Sequence, residues 1–128
     1  MQLIVCLDDK NGMLFNKRRQ SRDKILIDNM LEFCKGEALY TNEYSATLFP
    51  KNSVVICEDF ENIENGFVFA ENFMVVEDKI QEIIIYKWNR VYPADACFNI
   101  SLDNWSLVET VDFIGSSHEK ITRQRYVR

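Results

Sequence analysis

Apolar residues in this chain come in short unbroken runs, and two of them stand out. Residues 2–7 (QLIVCL) and Glu82–Trp88 (EIIIYKW) carry almost no polar alternation. That pattern predicts strands covered on both faces. Ser53–Cys57 (SVVIC) is β-branched and predicts a further core strand. Ala38–Thr41, Gly66–Ala70 and Phe73–Val76 give shorter strands. Near the C-terminus the period changes to two. Trp105, Leu107, Val111 and Phe113 share one face, broken only at Glu109, and Lys120–Val127 alternates enough to pair with them across a Gly115-Ser116 turn.

One segment has helical spacing. Ile27, Met30, Leu31 and Cys34 recur at i, i+3, i+4 and i+7. Ser21 is the expected cap, Asp23 complements the helix dipole from the first turn, and the helix should run to about Lys35 and end at Gly36. Asp8–Arg19 reads as a loop around the Asn11-Gly12 turn signal. Asn42–Phe49 reads as a loop or one helical turn that Pro50 ends, and Asp59–Asn65 as an acidic turn. With one strong helix and six to eight strands, helices are too few for a regular doubly wound sheet. The expected fold is α/β, a mixed sheet with an antiparallel C-terminal edge, in one domain over residues 1–128.

Composition narrows the class. Hydrophobic content of 47% and charged content of 27% in 128 residues fit a globular protein. No apolar run is long enough to span a bilayer, and Leu3–Leu7 has no basic flank like that of a signal peptide, so the expected location is the cytoplasm, with no membrane partner. Cys6, Cys34, Cys57 and Cys97 stand apart among apolar neighbours and are expected to pack as reduced core thiols. With no close Cys/His pairs and His118 as the one histidine, no metal site is expected. His118 follows Ser116-Ser117, but no acid or nucleophile is placed locally to form a triad with it, and it reads as a surface turn residue. Trp88 and Trp105 read as packing residues.

The net charge of −5 argues against a surface that coats nucleic acid. It is unevenly spread, however: Lys17, Arg18, Arg19, Arg22 and Lys24 crowd together. Arg18, Arg19 and Arg22 are therefore candidate phosphate or RNA contacts, although no aromatics interleave the run. Asp8 and Asp9 end the first strand, where α/β ligand sites gather. Asp23 is the strongest catalytic candidate, as a carboxylate at a cleft able to bind an amidine-like edge or relay a proton. An exposed edge strand could support a dimer, but the sequence specifies no oligomer.

Several motifs resemble the dihydrofolate reductase family. LIVCLDDKNGML is similar to its opening strand and Gly-rich loop, with Gly12 and Met13 in place and Leu14 at the second glycine. QSRDKIL sets Asp23 at the position of the carboxylate that grips the pterin ring, though Lys17-Arg18-Arg19 replaces a tryptophan-bearing entry. In LYTNEYSATLF, Ser45 matches a hydroxyl residue near the cofactor, while Asn42-Glu43 stands where a Gly-Arg pair is expected. IIIYKW resembles the strand beneath the pterin, YPADACFN the family's turn through Asp95 and Phe98, and SSHEKITRQRY its last hairpin. The implied ligand site involves Cys6, Asp8, Asp23, Ser45 and Tyr86, with a cleft between Cys6, Asp23 and Tyr86. The family also needs two adjacent glycines after a central strand for NADPH, and here Gly12, Gly36, Gly66 and Gly115 are all isolated. The expected protein is therefore a divergent member without the classical NADPH site, a binding or accessory domain for a small heterocyclic molecule. Its alternatives are an NADPH-dependent reductase of a pterin-like substrate, and an RNA- or nucleotide-associated protein using the Lys17–Lys24 run. VCLDDKNGMLFNKRRQS is also similar to a small bacterial group labelled ribonuclease Z, whose metal-dependent hydrolysis would need ligands that one histidine cannot supply.

Overall fold

A computed structural model describes residues 1–72 and 76–128. Its strands are β1 (Gln2–Leu7), β2 (Gly12–Phe15), β3 (Arg18–Arg19), β4 (Leu39–Thr41), β5 (Val55–Ile56), β6 (Phe67–Phe69), β7 (Glu82–Lys87), β8 (Ala96–Cys97), β9 (Ser106–Phe113) and β10 (Ile121–Val127). The helices are α1 (Lys24–Phe33) and α2 (Glu43–Ala46), with a 3-10 turn at Glu77–Lys79. Seven strands form one sheet in the order β5-β4-β6-β1-β7-β10-β9. The first five run parallel; β10 is antiparallel to both neighbours, which makes the mixed sheet with an antiparallel edge. A small antiparallel sheet, β3-β2-β8, sits beside it.

The unbroken apolar strands lie at the centre because both their faces are buried. Ile4 of β1, with Ile84 and Tyr86 of β7, packs against Leu26, Ile27 and Met30 of α1. Leu3, Val5, Ile83 and Ile85 point the other way, onto Ala70, Ile80 and Trp105. Among the described residues no helix covers that second face. Phe98, Ile100 and Leu102 from the segment before β9 pack there instead. At about 25 cal/mol per Å² of apolar surface, each fully buried isoleucine contributes roughly 1.5–3 kcal/mol.

Several expectations need correction. Asp23, not Ser21, caps α1: its extended backbone (φ −154°, ψ 125°) lets the carboxylate accept from the N–H groups of Ile25 and Leu26. The helix ends at Phe33, with Cys34 as its cap. Residues 8–19 are not all loop, since β2 and β3 form a hairpin whose turn residues Asn16 and Lys17 both have positive φ (50° and 62°). The SVVIC run is not a core strand; β5 is a two-residue sheet edge with Val55 and Ile56 at 47% and 59% exposure. In β9, Leu107 is exposed, and Glu109 does not break the strand but pairs with Arg123 across the hairpin. Of the thiols only Cys34 is fully buried, and burial pushes it up to about 12; Cys97 is exposed. The Phe73–Val76 expectation falls largely on residues 73–75, outside those described.

Candidate functional site

The C-terminal ends of β1, β6 and β7 converge with the β3–α1 connection on one crevice. Cys6, Arg19, Ser21, Arg22, Asp23, Glu71 and Trp88 line it, and it leaves only ≈ 20 Å³ for water. That is room for about one molecule. The carboxylate at its rim is already occupied. Oδ1 of Asp23 accepts from the N–H groups of Ile25 (3.0 Å), Leu26 (3.1 Å) and Ser116 (2.9 Å), with the Ser116 hydroxyl at 3.1 Å. Oδ2 accepts from the N–H of Ser117 (2.8 Å) and lies 3.0 Å from His118 Nδ1. Burial opposes the charge, but the donors from Ser116, Ser117, His118 and Leu26 outweigh it and hold the carboxyl well below the usual range.

His118 is thus not a surface residue. It is buried at 5% exposure and stacks on Trp88 with ring centroids 4.7 Å apart. Because a carboxylate only accepts, Nδ1 carries the proton. In the neutral ring Nε2 then accepts from Ser21 Oγ (3.1 Å) and the Tyr92 hydroxyl (3.0 Å). Gly115 makes this approach feasible: a Cβ there would collide with the Asp23 carboxylate.

A second polar knot closes the other side. Arg19 Nε and Nη2 donate to the two oxygens of Glu71, each at 3.0 Å. Ser45 Oγ donates to Glu71 Oε1 at 2.7 Å, and the Arg19 guanidinium lies 4.4 Å from the centre of the Tyr44 ring. This fork-to-fork pair ties the β2–β3 hairpin to the residues following β6. Cys6 sits beneath it, its thiol pushed far up by burial and by the Glu71 charge, with Arg19 opposing.

The structure therefore brings together Cys6, Arg19, Arg22 and Asp23 on one crevice, with Ser45 reaching it through Glu71. It separates the others. Asp8 is buried within the following loop, where it accepts from the N–H groups of Lys10, Gly12 and Tyr92 and from Gln20 Nε2. Burial opposes its charge too, but those donors hold its carboxyl below the usual range. Tyr86 is wholly buried, donates to Asn29 Oδ1 at 2.7 Å, and has its phenol raised chiefly by burial. Neither lines the crevice. Arg18 projects from the opposite side of the hairpin to Arg19. Glu71 and His118 belong to the site without being expected from the sequence. The signal for Glu71 is an acid directly after an apolar run at a strand's C-terminal end; for His118, whose acid lies 95 positions away, the sequence carries no local signal.

Among the described residues no group of three or more His, Cys, Asp or Glu side chains could hold a metal ion, and no helix is long and apolar enough to cross a membrane.

This strand order and hairpin-closed sheet define a dihydrofolate reductase-like fold. The chain is similar to dihydrofolate reductase from Enterococcus faecalis, solved in complex with NADP(H) and RAB-propyl. The TM-score is 0.70 at 11% identity, covering 99% of this chain and 95% of that one. No family model matches the sequence, and no curated protein does.

Proposed function

We propose that this chain is a divergent dihydrofolate reductase-like domain whose reductase cleft is filled by its own side chains, and that it serves as a small-molecule-binding or accessory domain. The observation that carries this reading is the state of Asp23. Its oxygens are taken up by the helix N-terminus and by the Gly115–His118 turn. A ring offering an amidine-like edge would have to displace His118 from a buried charge-assisted bond, at a cost of about 1.5–3 kcal/mol before any gain.

The cofactor side supports the same reading. Where the family resemblance calls for adjacent glycines after a central strand, β6 runs into Ala70-Glu71-Asn72. Glu71 is 9% exposed and committed to Arg19 and Ser45, so an incoming pyrophosphate would meet a carboxylate rather than bare backbone. Space for a ligand remains beside the crevice, in an open groove of ≈ 490 Å³ along α1 that adjoins it at Asp23 and is lined also by Arg22, Lys24, Asp28, Leu48 and Phe49. Its apolar floor and mixed charges, Arg22 and Lys24 with Asp23 and Asp28, suit a small amphipathic molecule.

Titrating the protein with NADPH and with dihydrofolate tests the proposal. The expected result is no NADPH oxidation, and no saturable binding of either compound that depends on Asp23. Turnover that disappears in Asp23→Asn would establish the alternative, a working NADPH-dependent reductase with Asp23 as its catalytic carboxylate.

A further inference from the structure

The basic run lacks aromatic neighbours in sequence, yet the fold supplies them. β2 and β3 pair so that Phe15 lies directly opposite Arg18 and Leu14 opposite Arg19. Paired residues share a face of the hairpin. Leu14 is buried and Arg19 reaches Glu71, so that face is inward. Phe15 and Arg18 therefore share the outward face, and Phe15 is 43% exposed.

Across from them runs an open groove of ≈ 490 Å³, lined by Phe15, Asn16, Arg18, Arg19, Gln20, Tyr92 and Pro93. Its far wall is fixed at both ends. The Tyr92 N–H donates to Asp8 Oδ2 at 3.1 Å, and its hydroxyl lies 3.0 Å from His118 Nε2. The near wall is fixed as well, because Asn16 N–H donates to Asp95 Oδ2 at 3.1 Å and Arg19 is locked to Glu71. Asp95 is the carboxylate facing this end, and it is engaged by that backbone donor. Among the described residues the ion pairs use Arg19, His118, Arg123, Arg125 and Arg128, which leaves Lys17, Arg18 and Arg22 without an anionic partner.

We propose that this groove binds a nucleoside phosphate unit, the phosphate on Arg18 and the base against the ring of Phe15 or Tyr92. Size fits, since the space falls within the range of small-ligand sites. The chemistry fits equally: a guanidinium beside a phenyl ring offers both a phosphate donor and a stacking surface, the pairing by which proteins hold unpaired nucleotides. The groove shares Arg19 and Gln20 with the lining of the Asp23 crevice but opens on the outward face of the hairpin, so occupancy of one does not require occupancy of the other.

Calorimetric titration of the full chain with 5′-AMP, with inorganic phosphate, and with a 12-nucleotide single-stranded RNA tests this. Saturable AMP binding is expected, with inorganic phosphate at least tenfold weaker. Phe15→Ala and Arg18→Ala should each weaken AMP about tenfold, and Arg18→Ala should also lessen the salt dependence of RNA binding. Both residues are exposed, so circular dichroism should show unchanged folding. RNA binding at least tenfold tighter than AMP would identify nucleic acid as the source of the nucleotide; equal affinities would identify the free nucleotide. Absence of binding by both AMP and RNA at millimolar concentration would overturn the proposal. So would inorganic phosphate binding as tightly as AMP, or affinity unchanged in both variants.

Discussion

Asp23 concentrates more hydrogen bonding than any other side chain in the crevice, and its loss should be felt in stability before function. Replacing it with alanine removes a helix cap, worth about 1 kcal/mol. It also strands the buried donor of His118, at a cost of about 1–3 kcal/mol if left unpaired, while the exposed Ser116 and Ser117 can turn to water. Urea denaturation of Asp23→Ala should therefore show a loss of about 2–4 kcal/mol; a loss below 1 kcal/mol would mean the network is dispensable. The pH dependence follows from the depressed carboxyl. The unfolded chain takes up a proton near pH 4 that the native state refuses. The contribution of Asp23 is thus complete above that range and declines as pH falls through and below it. Asp23→Asn should flatten this acid limb, leaving the smaller slope due to Asp8. Gly115→Ala should mimic the loss of Asp23, because the added methyl enters the space of its carboxylate.

At the scale of elements, the β2–β3 hairpin is fastened to the central sheet by Arg19 and Glu71. Removing either partner leaves the other largely buried, so each single alanine variant should cost about 2–3 kcal/mol. The double variant should cost less than their sum by about 1–3 kcal/mol. A coupling near zero in that denaturant cycle would show that the pair does not latch the hairpin. This hairpin is also where the sequence was hardest to interpret. Its turn, Asn16-Lys17, adopts positive φ at both positions without the glycine that usually signals it. By contrast β1 and β7 were legible because burial on both faces leaves an unbroken apolar run. The SVVIC run shows the limit of that signal. Residues 53–57 have the composition of a core strand, but apolar composition says nothing of position in the sheet, and β5 lies at its edge. Ile56→Lys should accordingly change stability by no more than about 0.5 kcal/mol, whereas Ile84→Ala, at the centre, should cost about 2–5 kcal/mol. Equal costs would contradict the edge placement.

At the scale of the molecule, the fold was visible in the sequence and the condition of the site was only half visible. The opening strand, the Asp95-x-x-Phe98 turn and the closing hairpin together pointed to the dihydrofolate reductase-like sheet that the structure has. Asp23 stands out in the sequence as the candidate carboxylate, and the structure places it at the rim of the crevice. What surrounds it does not stand out, because its partners Ser116, Ser117 and His118 come from a turn more than ninety residues away. Such a contact exists only once the sheet brings β10 beside β7. The same tertiary closure joins Glu71 to Arg19 across 52 positions.

The central claim is that this sheet has kept the shape of a reductase while its own side chains occupy the ligand cleft. Calorimetric titration with NADPH, run alongside an assay of NADPH oxidation with dihydrofolate, tests it most directly. The account predicts no turnover and no saturable heat attributable to the Asp23 crevice, so that any heat seen with NADPH survives Asp23→Asn and is removed by Phe15→Ala with Arg18→Ala. Micromolar NADPH binding accompanied by hydride transfer that Asp23→Asn abolishes would contradict it.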